Sequence, residues 1–195
     1  MSIYKNFFKN NPLKDYSAAH IAHFEMSILT SAEMQEKIEE TIRTSVDPER
    51  QTQLDLESKQ ISSANTTDDI INIMRKMKER VNVAQLCNKV LSEPDKYIPA
   101  ITDRFYRIKM DKFVETAGII FYNADIAYLE DLYENYNNIQ FPFAQSMICL
   151  LLAMREFKDI DDFLLCEYNR FKSYYPDEIY YEFPLLGLYI TNGKF

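Results

Sequence analysis

Apolar residues recur three or four positions apart over residues 17–46, which is the spacing of one face of an α-helix. Asp47 and Pro48 follow this stretch, and they suit the N-cap and the first turn of another helix. We therefore predict a helix over 17–46 and a second one that begins at Pro48.

A further helical pattern lies between the polar run at 62–67 and Pro94. Thr67, Asp68 and Asp69 favour a helix start, because their oxygens cap free backbone amides and their charge suits the helix dipole. The apolar spacing continues to Leu91, so we predict one helix through this region with a kink near Asn82.

Beyond Pro94, strongly apolar helices are predicted to alternate with mixed ones. The apolar segments are 113–122, 143–154 and 185–190. Phe141-Pro142 and Phe183-Pro184 open the last two, and proline suits the first turn of a helix. Stacked helix pairs require this alternation, since the apolar helix is buried between neighbours and the mixed helix faces water.

An internal repeat is visible in the same region, where Asp125-Ile126 returns 34 residues later as Asp159-Ile160. With Val114-Glu115-Thr116-Ala117 and Phe143-Ala144-Gln145, these residues resemble a short array of HEAT-type helical repeats over about residues 94–195. The resemblance implies a superhelical surface that binds proteins or, less often, nucleic acid. It implies no catalytic residues.

The predicted fold class is accordingly all-α, with a short HEAT-like superhelical repeat array behind an N-terminal helical arm. We place the N-terminal helical region at residues 1–92 and the repeat region at 93–195. An irregular α-α bundle is the alternative, since the regular Pro and Arg positions of HEAT repeats are missing and the repeat spacing drifts.

The amino-acid composition narrows the fold class further. Of the 195 residues 47% are apolar and only three are glycine, which argues against a disordered chain and against a turn-rich β-protein. Aromatic residues are segregated, because 22 of the 27 lie between Tyr97 and Phe195. The longest apolar run, residues 147–154, is too short to cross a membrane.

Charge and cysteine content indicate where the protein works and what it binds. The net charge is −8, and residues 94–195 carry −6 of it, which disfavours nucleic acid and anionic membranes and favours a basic partner. Cys87, Cys149 and Cys166 are odd in number and lie in apolar stretches. We predict that all three are reduced core residues and that the protein is cytoplasmic.

No catalytic residue and no cofactor are predicted, because the sequence holds no nucleophile motif and no Gly-rich phosphate loop. His20 and His23 share a helix face and could bind a metal ion with Asp15 or Glu25. The H-E-x-x-H pattern of zinc hydrolases is missing, so a solvated or core-edge helix face is the preferred interpretation.

Two sets of residues are candidates for partner binding. The first is Tyr174, Tyr175, Tyr180 and Tyr181, because tyrosine offers a large contact area at low entropic cost. The alternative is that these rings close the end of the array. The second is Glu115, which lies in an apolar segment and is expected either to pair with Arg104 or Arg107 or to line a groove.

The function we expect is that of a non-catalytic interaction module, an adaptor or inhibitor that docks a basic protein partner. A metal-dependent hydrolase built on His20 and His23 is one alternative. The other is a HEAT-like nucleic-acid binder, which requires several basic residues to converge: Arg75, Lys76, Lys78, Arg104, Arg107 and Lys109. Self-association is left open.

Overall fold

The computed structural model describes residues 40, 41, 43, 44, 47–77 and 82–192. These residues contain nine α-helices, two short 3-10 turns and no β-strand, so the all-α prediction is confirmed for them. The helices are α1 (Pro48–Ser63), α2 (Thr67–Lys76), α3 (Val83–Leu91), α4 (Pro94–Phe105), α5 (Asp111–Asn123), α6 (Ile126–Glu134), α7 (Pro142–Met154), α8 (Asp161–Tyr174) and α9 (Glu182–Thr191).

The helix starts follow local capping chemistry. Asp47 caps α1 by accepting a hydrogen bond from the Arg50 amide at 2.9 Å, as its sequence position predicts. Thr66 rather than Thr67 caps α2. The Thr66 hydroxyl accepts from the Asp69 amide, and the Asp69 carboxylate accepts from the Thr66 amide, which together form a capping box.

The single helix predicted between residue 67 and Leu91 is wrong. Helix α2 ends at Lys76, and α3 begins at Val83 after Asn82, whose φ is 75°. A left-handed backbone cannot continue a right-handed helix, and asparagine is one of the few residues that adopt it readily. The expected kink at Asn82 is therefore a break between two helices.

The odd-numbered helices from α3 onward form a row in which each contacts the next odd-numbered helix. Helices α3, α5, α7 and α9 are neighbours in that order, while α4 lies against α3 and α5, α6 against α5 and α7, and α8 against α7 and α9. Helix α2 packs on α4 and α5, and α1 packs on α2 and α3. From α3 to α9, each helix thus packs on the one that follows it in sequence.

The connections lie on two edges of this row. One edge, here called the hairpin edge, carries the connections 92–93, 124–125 and 155–160 and the end of α9. Contacts across it join Tyr128 to Asp95, Arg155 to Ala124 and Thr191 to Asp161. The opposite edge carries the connections 106–110, 135–141 and 175–181, joined by the Gln140 amide to the Tyr106 carbonyl.

The most buried helix is α7, since ten of its 13 residues are buried. Gly187 lets α9 approach it closely, because a Cβ atom at Gly187 would lie 3.3 Å from the Ala153 Cβ. Buried apolar residues form one continuous core from Ile61 to Leu188, which crosses the predicted division at 92/93. That division stays a prediction.

None of the nine helices in the described part of the chain is long and apolar enough to cross a membrane.

Candidate protein-binding surface

Acidic residues dominate the outer side of the molecule from α6 to the start of α8. From Asp125 to Asp162 the sequence contains eight Asp or Glu residues but only two cations, Arg155 and Lys158. Arg155 is turned inward, where its guanidinium donates hydrogen bonds to the carbonyls of Tyr122 and Ala124 at the end of α5. Its charge therefore satisfies helix-end carbonyls instead of facing the acidic residues.

Aromatic contacts hold the acidic segments together. The ring of Tyr133 on α6 lies 6.2 Å from the Phe157 ring and 5.1 Å from the Phe163 ring, edge to face in both cases. Helix α6 is thereby fixed against the connection between α7 and α8. Glu130, Asp131 and Glu134 of α6 are exposed, as are Glu156 and Asp159 of that connection; we call these five carboxylates the acidic face.

The two edges of the helix row differ in charge. The hairpin edge gathers seven Asp or Glu residues and three cations: Glu93, Asp95, Asp125, Glu156, Asp159, Asp161 and Asp162, with Lys96, Arg155 and Lys158. The opposite edge is mixed, with four Asp or Glu residues and three cations: Asp111, Asp177, Glu178 and Glu182, with Arg107, Lys109 and Lys112. A basic partner is therefore attracted more strongly to the hairpin edge.

Two hollows open on the hairpin edge. The first, of about 670 Å³, lies between the connections 92–93 and 124–125 and has an apolar lining that includes Leu91, Pro94, Ala124 and Ala127. Asp95 and Asp125 stand at its rim. Tyr128 completes the lining and donates a hydrogen bond to Asp95 at 2.7 Å, which raises the pKa of Tyr128 above its usual value.

The second hollow, of about 680 Å³, lies between the connection 155–160 and the end of α9. Ala153, Phe157 and Ile190 form its apolar part. Its charged lining consists of one cation, Lys158, and four carboxylates: Glu156, Asp159, Asp161 and Asp162. Asp161 accepts hydrogen bonds from the Thr191 hydroxyl at 2.5 Å and from the Asn192 amide at 3.3 Å, so its orientation is fixed.

Glu156 and Asp159 both have a φ of 58°, in the left-handed region. Glu156 directly follows the last turn of α7, where the Phe157 amide bonds back to the Leu152 carbonyl at 3.0 Å. This helix ending usually contains glycine. Neither position is a glycine in this sequence, and the hollow was not predicted.

A buried polar cluster that the sequence did not reveal joins α7, α8 and the 3-10 turn Tyr136–Asn138. The Tyr136 hydroxyl donates to Glu167 at 2.5 Å, Arg170 Nε donates to both Glu167 oxygens at 3.0 Å, and Arg170 also donates to Gln145 at 2.8 Å. Tyr136 and Glu167 are buried. This cluster has no opening to a described hollow, so we interpret it as structural.

The electrostatics of this polar cluster fit that interpretation. Burial, reinforced by Cys149 and Glu167, raises the pKa of Tyr136 far above its ordinary value. Burial alone would lower the pKa of Arg170, but its hydrogen bond to Glu167 and the charge of that residue raise the pKa above its ordinary value. Tyr136 and Arg170 therefore keep their protons as hydrogen-bond donors.

The four candidate tyrosines do not share one environment. Tyr175 and Tyr180 are half-buried among Phe141, Phe143 and Phe171, where they help to close the opposite edge. Tyr181 is also half-buried and packs on Tyr168. Tyr174 is 75% exposed. Tyr174 is thus the member of the four whose ring offers most area to a partner.

Two sequence interpretations need correction. Glu115 forms its ion pair with Lys112 at 3.2 Å and not with Arg104 or Arg107. Of the three cysteines predicted to be in the core, Cys87 and Cys149 are buried but Cys166 is exposed. Burial raises the pKa of the Cys87 thiol to about 12 and also raises that of Cys149.

The candidate metal ligands His20 and His23 lie outside the described residues. Within 47–77, 82–192 and the four described positions before them, no group of three or more His, Cys, Asp or Glu side chains could hold a metal ion. Of the predicted basic strip, Lys78 is also outside the described residues, and Arg107 is paired with Asp103.

Comparison of the chain with protein-family models, with curated proteins and with solved structures found no match.

Proposed function

We propose that this protein is a non-catalytic interaction module, an adaptor or inhibitor that binds a basic protein through its acidic face. The observation that carries this proposal is the charge distribution: eight acidic residues and two basic ones lie from Asp125 to Asp162, and Arg155 is directed into the fold. Complementary charge steers a basic partner toward this face and rejects acidic ones.

The proposed scaffold is a short HEAT-like superhelical array. Its support is the row of α3, α5, α7 and α9, with α4, α6 and α8 each laid against two members of that row. Stacked helix pairs of this kind present long, stiff surfaces on which charged side chains are held at fixed positions. We also propose that the module works in the cytoplasm, which its three free thiols support.

The test is capture of a partner from an extract of the host cell, with the full-length tagged protein and two matched variants. Glu130→Gln with Glu134→Gln removes two charges from the acidic face, and both residues are exposed on α6. Glu49→Gln with Asp68→Asn removes the same charge from exposed positions of α1 and α2. Mass spectrometry quantifies what each sample retains.

We expect a stoichiometric basic protein that is retained by the wild type and by the α1/α2 variant, is reduced on the α6 variant, and elutes with added salt. Retention of an acidic protein, or equal losses on the two variants, would contradict binding through the acidic face. Metal bound to the purified protein in the absence of any partner would instead favour the hydrolase alternative.

A further inference from the structure

The two hollows of the hairpin edge are neighbours along the row. The Arg155 guanidinium joins them, because Arg155 directly precedes Glu156 of the second hollow and donates to the carbonyl of Ala124, which lines the first. Each hollow lies at the ends of paired helices. The hairpin edge therefore carries two hollows in similar positions along the row.

The two hollows also share their chemistry. Each has apolar side chains in its lining, such as Ala127 in the first and Phe157 in the second, and carboxylates beside them. One cation, Lys158, also lines the second hollow, where four carboxylates outnumber it. A lysine or arginine side chain matches this combination, because its aliphatic stem packs on apolar surface while its charged head remains among carboxylates and water. An acidic or purely apolar side chain matches only one of the two features.

We propose that the hairpin edge binds an extended basic segment of a partner protein, with one lysine or arginine side chain in each hollow. This inference rests on the proposed function and deepens it by naming a site for a peptide, which shares the carboxylates of the connection 155–160 with the acidic face. Charge complementarity selects the occupant, because carboxylates outnumber cations on this edge whereas the opposite edge is mixed.

Two substitutions remove charge from the edge without disturbing its backbone. Asp125 caps α6 through the Ala127 amide at 2.9 Å, and asparagine caps a helix equally well. Asp159 has a φ of 58°, which asparagine also tolerates. The variant Asp125→Asn with Asp159→Asn therefore tests the charge of the edge in a folded protein.

The matched control is Asp177→Asn with Glu178→Gln, which removes the same charge from exposed positions of the opposite edge. A second pair tests the shape of the edge. Ala127→Trp fills the first hollow from an exposed position of α6, and Asn137→Trp places the same ring at an exposed position of the opposite edge.

The probe is a fluorescein-labelled peptide of alternating arginine and alanine, titrated with the full-length protein and followed by fluorescence anisotropy. Its glutamate counterpart is the control peptide. We expect about tenfold weaker binding of the arginine peptide by the Asp125→Asn, Asp159→Asn variant, on the order of threefold for each charge. Ala127→Trp should weaken binding as well, while both opposite-edge controls bind like the wild type.

If the two charge variants lose the same affinity for the arginine peptide, the attraction is diffuse and belongs to the acidic protein as a whole. That result would overturn a binding site on the hairpin edge. Unchanged affinity of the Ala127→Trp variant for the arginine peptide would also overturn the proposed site. Failure of the wild-type protein to bind this peptide would do the same. A dimer that dissociates in the Asp125→Asn, Asp159→Asn variant would assign the edge to a second copy of the chain. The capture experiment changes Glu130 and Glu134 instead, so the proposed function can fail or succeed independently of these results.

Discussion

Replacing Arg170 with methionine is expected to destabilise the protein more than neutralising Glu167, although both changes break the same ion pair. The two partners differ in access to water, since the Glu167 side chain is 9% exposed and that of Arg170 is 32% exposed. Whichever charge is left alone must be solvated, and the glutamate is the one that water cannot reach.

The expected magnitudes follow from these surroundings. Arg170→Met leaves a buried carboxylate with the Tyr136 hydroxyl as its donor, which should cost about 3 kcal/mol of unfolding free energy. Glu167→Gln leaves a guanidinium that can turn to solvent and retains an amide oxygen as acceptor, so about 1–2 kcal/mol is expected. Against a typical stability of roughly 5–15 kcal/mol, both variants should remain folded.

Urea unfolding followed by far-UV circular dichroism measures both free energies, provided that the denaturant dependence is unchanged between variants. The double variant Glu167→Leu with Arg170→Met should be no less stable than Arg170→Met alone, because no buried charge remains. If Glu167→Gln proves the more damaging change, or if both single variants lose less than about 0.5 kcal/mol, the cluster does not stabilise the fold in this way.

Three further predictions concern positions away from this cluster. Cys166 is expected to react with a maleimide reagent in the native protein, while the two buried thiols react only after unfolding. Glu156→Gly should stabilise the protein by about 0.5–1 kcal/mol, because glycine adopts a φ of 58° without strain. The capping box holds the pKa of Asp69 below its usual value, mainly through the Thr66 hydroxyl and then through the amides of Thr66 and Asn65. Since the fold favours the ionised form, this contribution is present above the ordinary aspartate pKa and is lost as the pH falls through the lowered one, and Asp69→Asn should remove that part of the pH dependence of stability.

Each of these predictions has its own control. Labelling must disappear in Cys166→Ser, and rapid modification of more than one thiol would show that a second cysteine is accessible. Glu156→Ala should bring no gain because alanine keeps the Cβ atom, and equal effects of alanine and glycine would contradict the strain argument. Thermal unfolding at several pH values tests Asp69. If Asp69→Asn loses as much stability at acid pH as the wild type does, Asp69 does not contribute to the pH dependence of stability.

The helix starts could be predicted because capping is local. Asp47 with Pro48 and Phe141 with Pro142 each mark the beginning of a helix within one or two residues of the structure. The oxygen of a cap and the ring of a proline act on backbone groups nearby, so no knowledge of the tertiary fold is needed.

The break at Asn82 and the exposure of Cys166 required more than periodicity. One left-handed residue does not interrupt the apolar spacing before and after it, so the sequence at Asn82 still looks like one helix. Helix α8 buries Leu164, Tyr168 and Phe171 on one stripe. Cys166 lies two positions from Leu164, about 200° around the helix, and therefore faces away from the core.

Among the candidate residues, the partner of Glu115 was predictable and the buried cluster was not. Lys112 and Glu115 are three positions apart on one helix, where side chains meet directly. Tyr136, Gln145 and Glu167 come from different elements and are brought together by the packing of α8 on α7. Their spacing in the sequence therefore does not predict that these side chains contact one another.

The deep burial of α7 has a consequence for how the protein is made. Helix α7 needs cover from α5 and α6, which are synthesised before it, and from α8 and α9, which are synthesised after it. While α9 is still inside the ribosome, the side of α7 that meets Gly187 is exposed as an apolar strip. We therefore expect chaperones that recognise exposed apolar helices to bind the nascent chain until α9 emerges and docks.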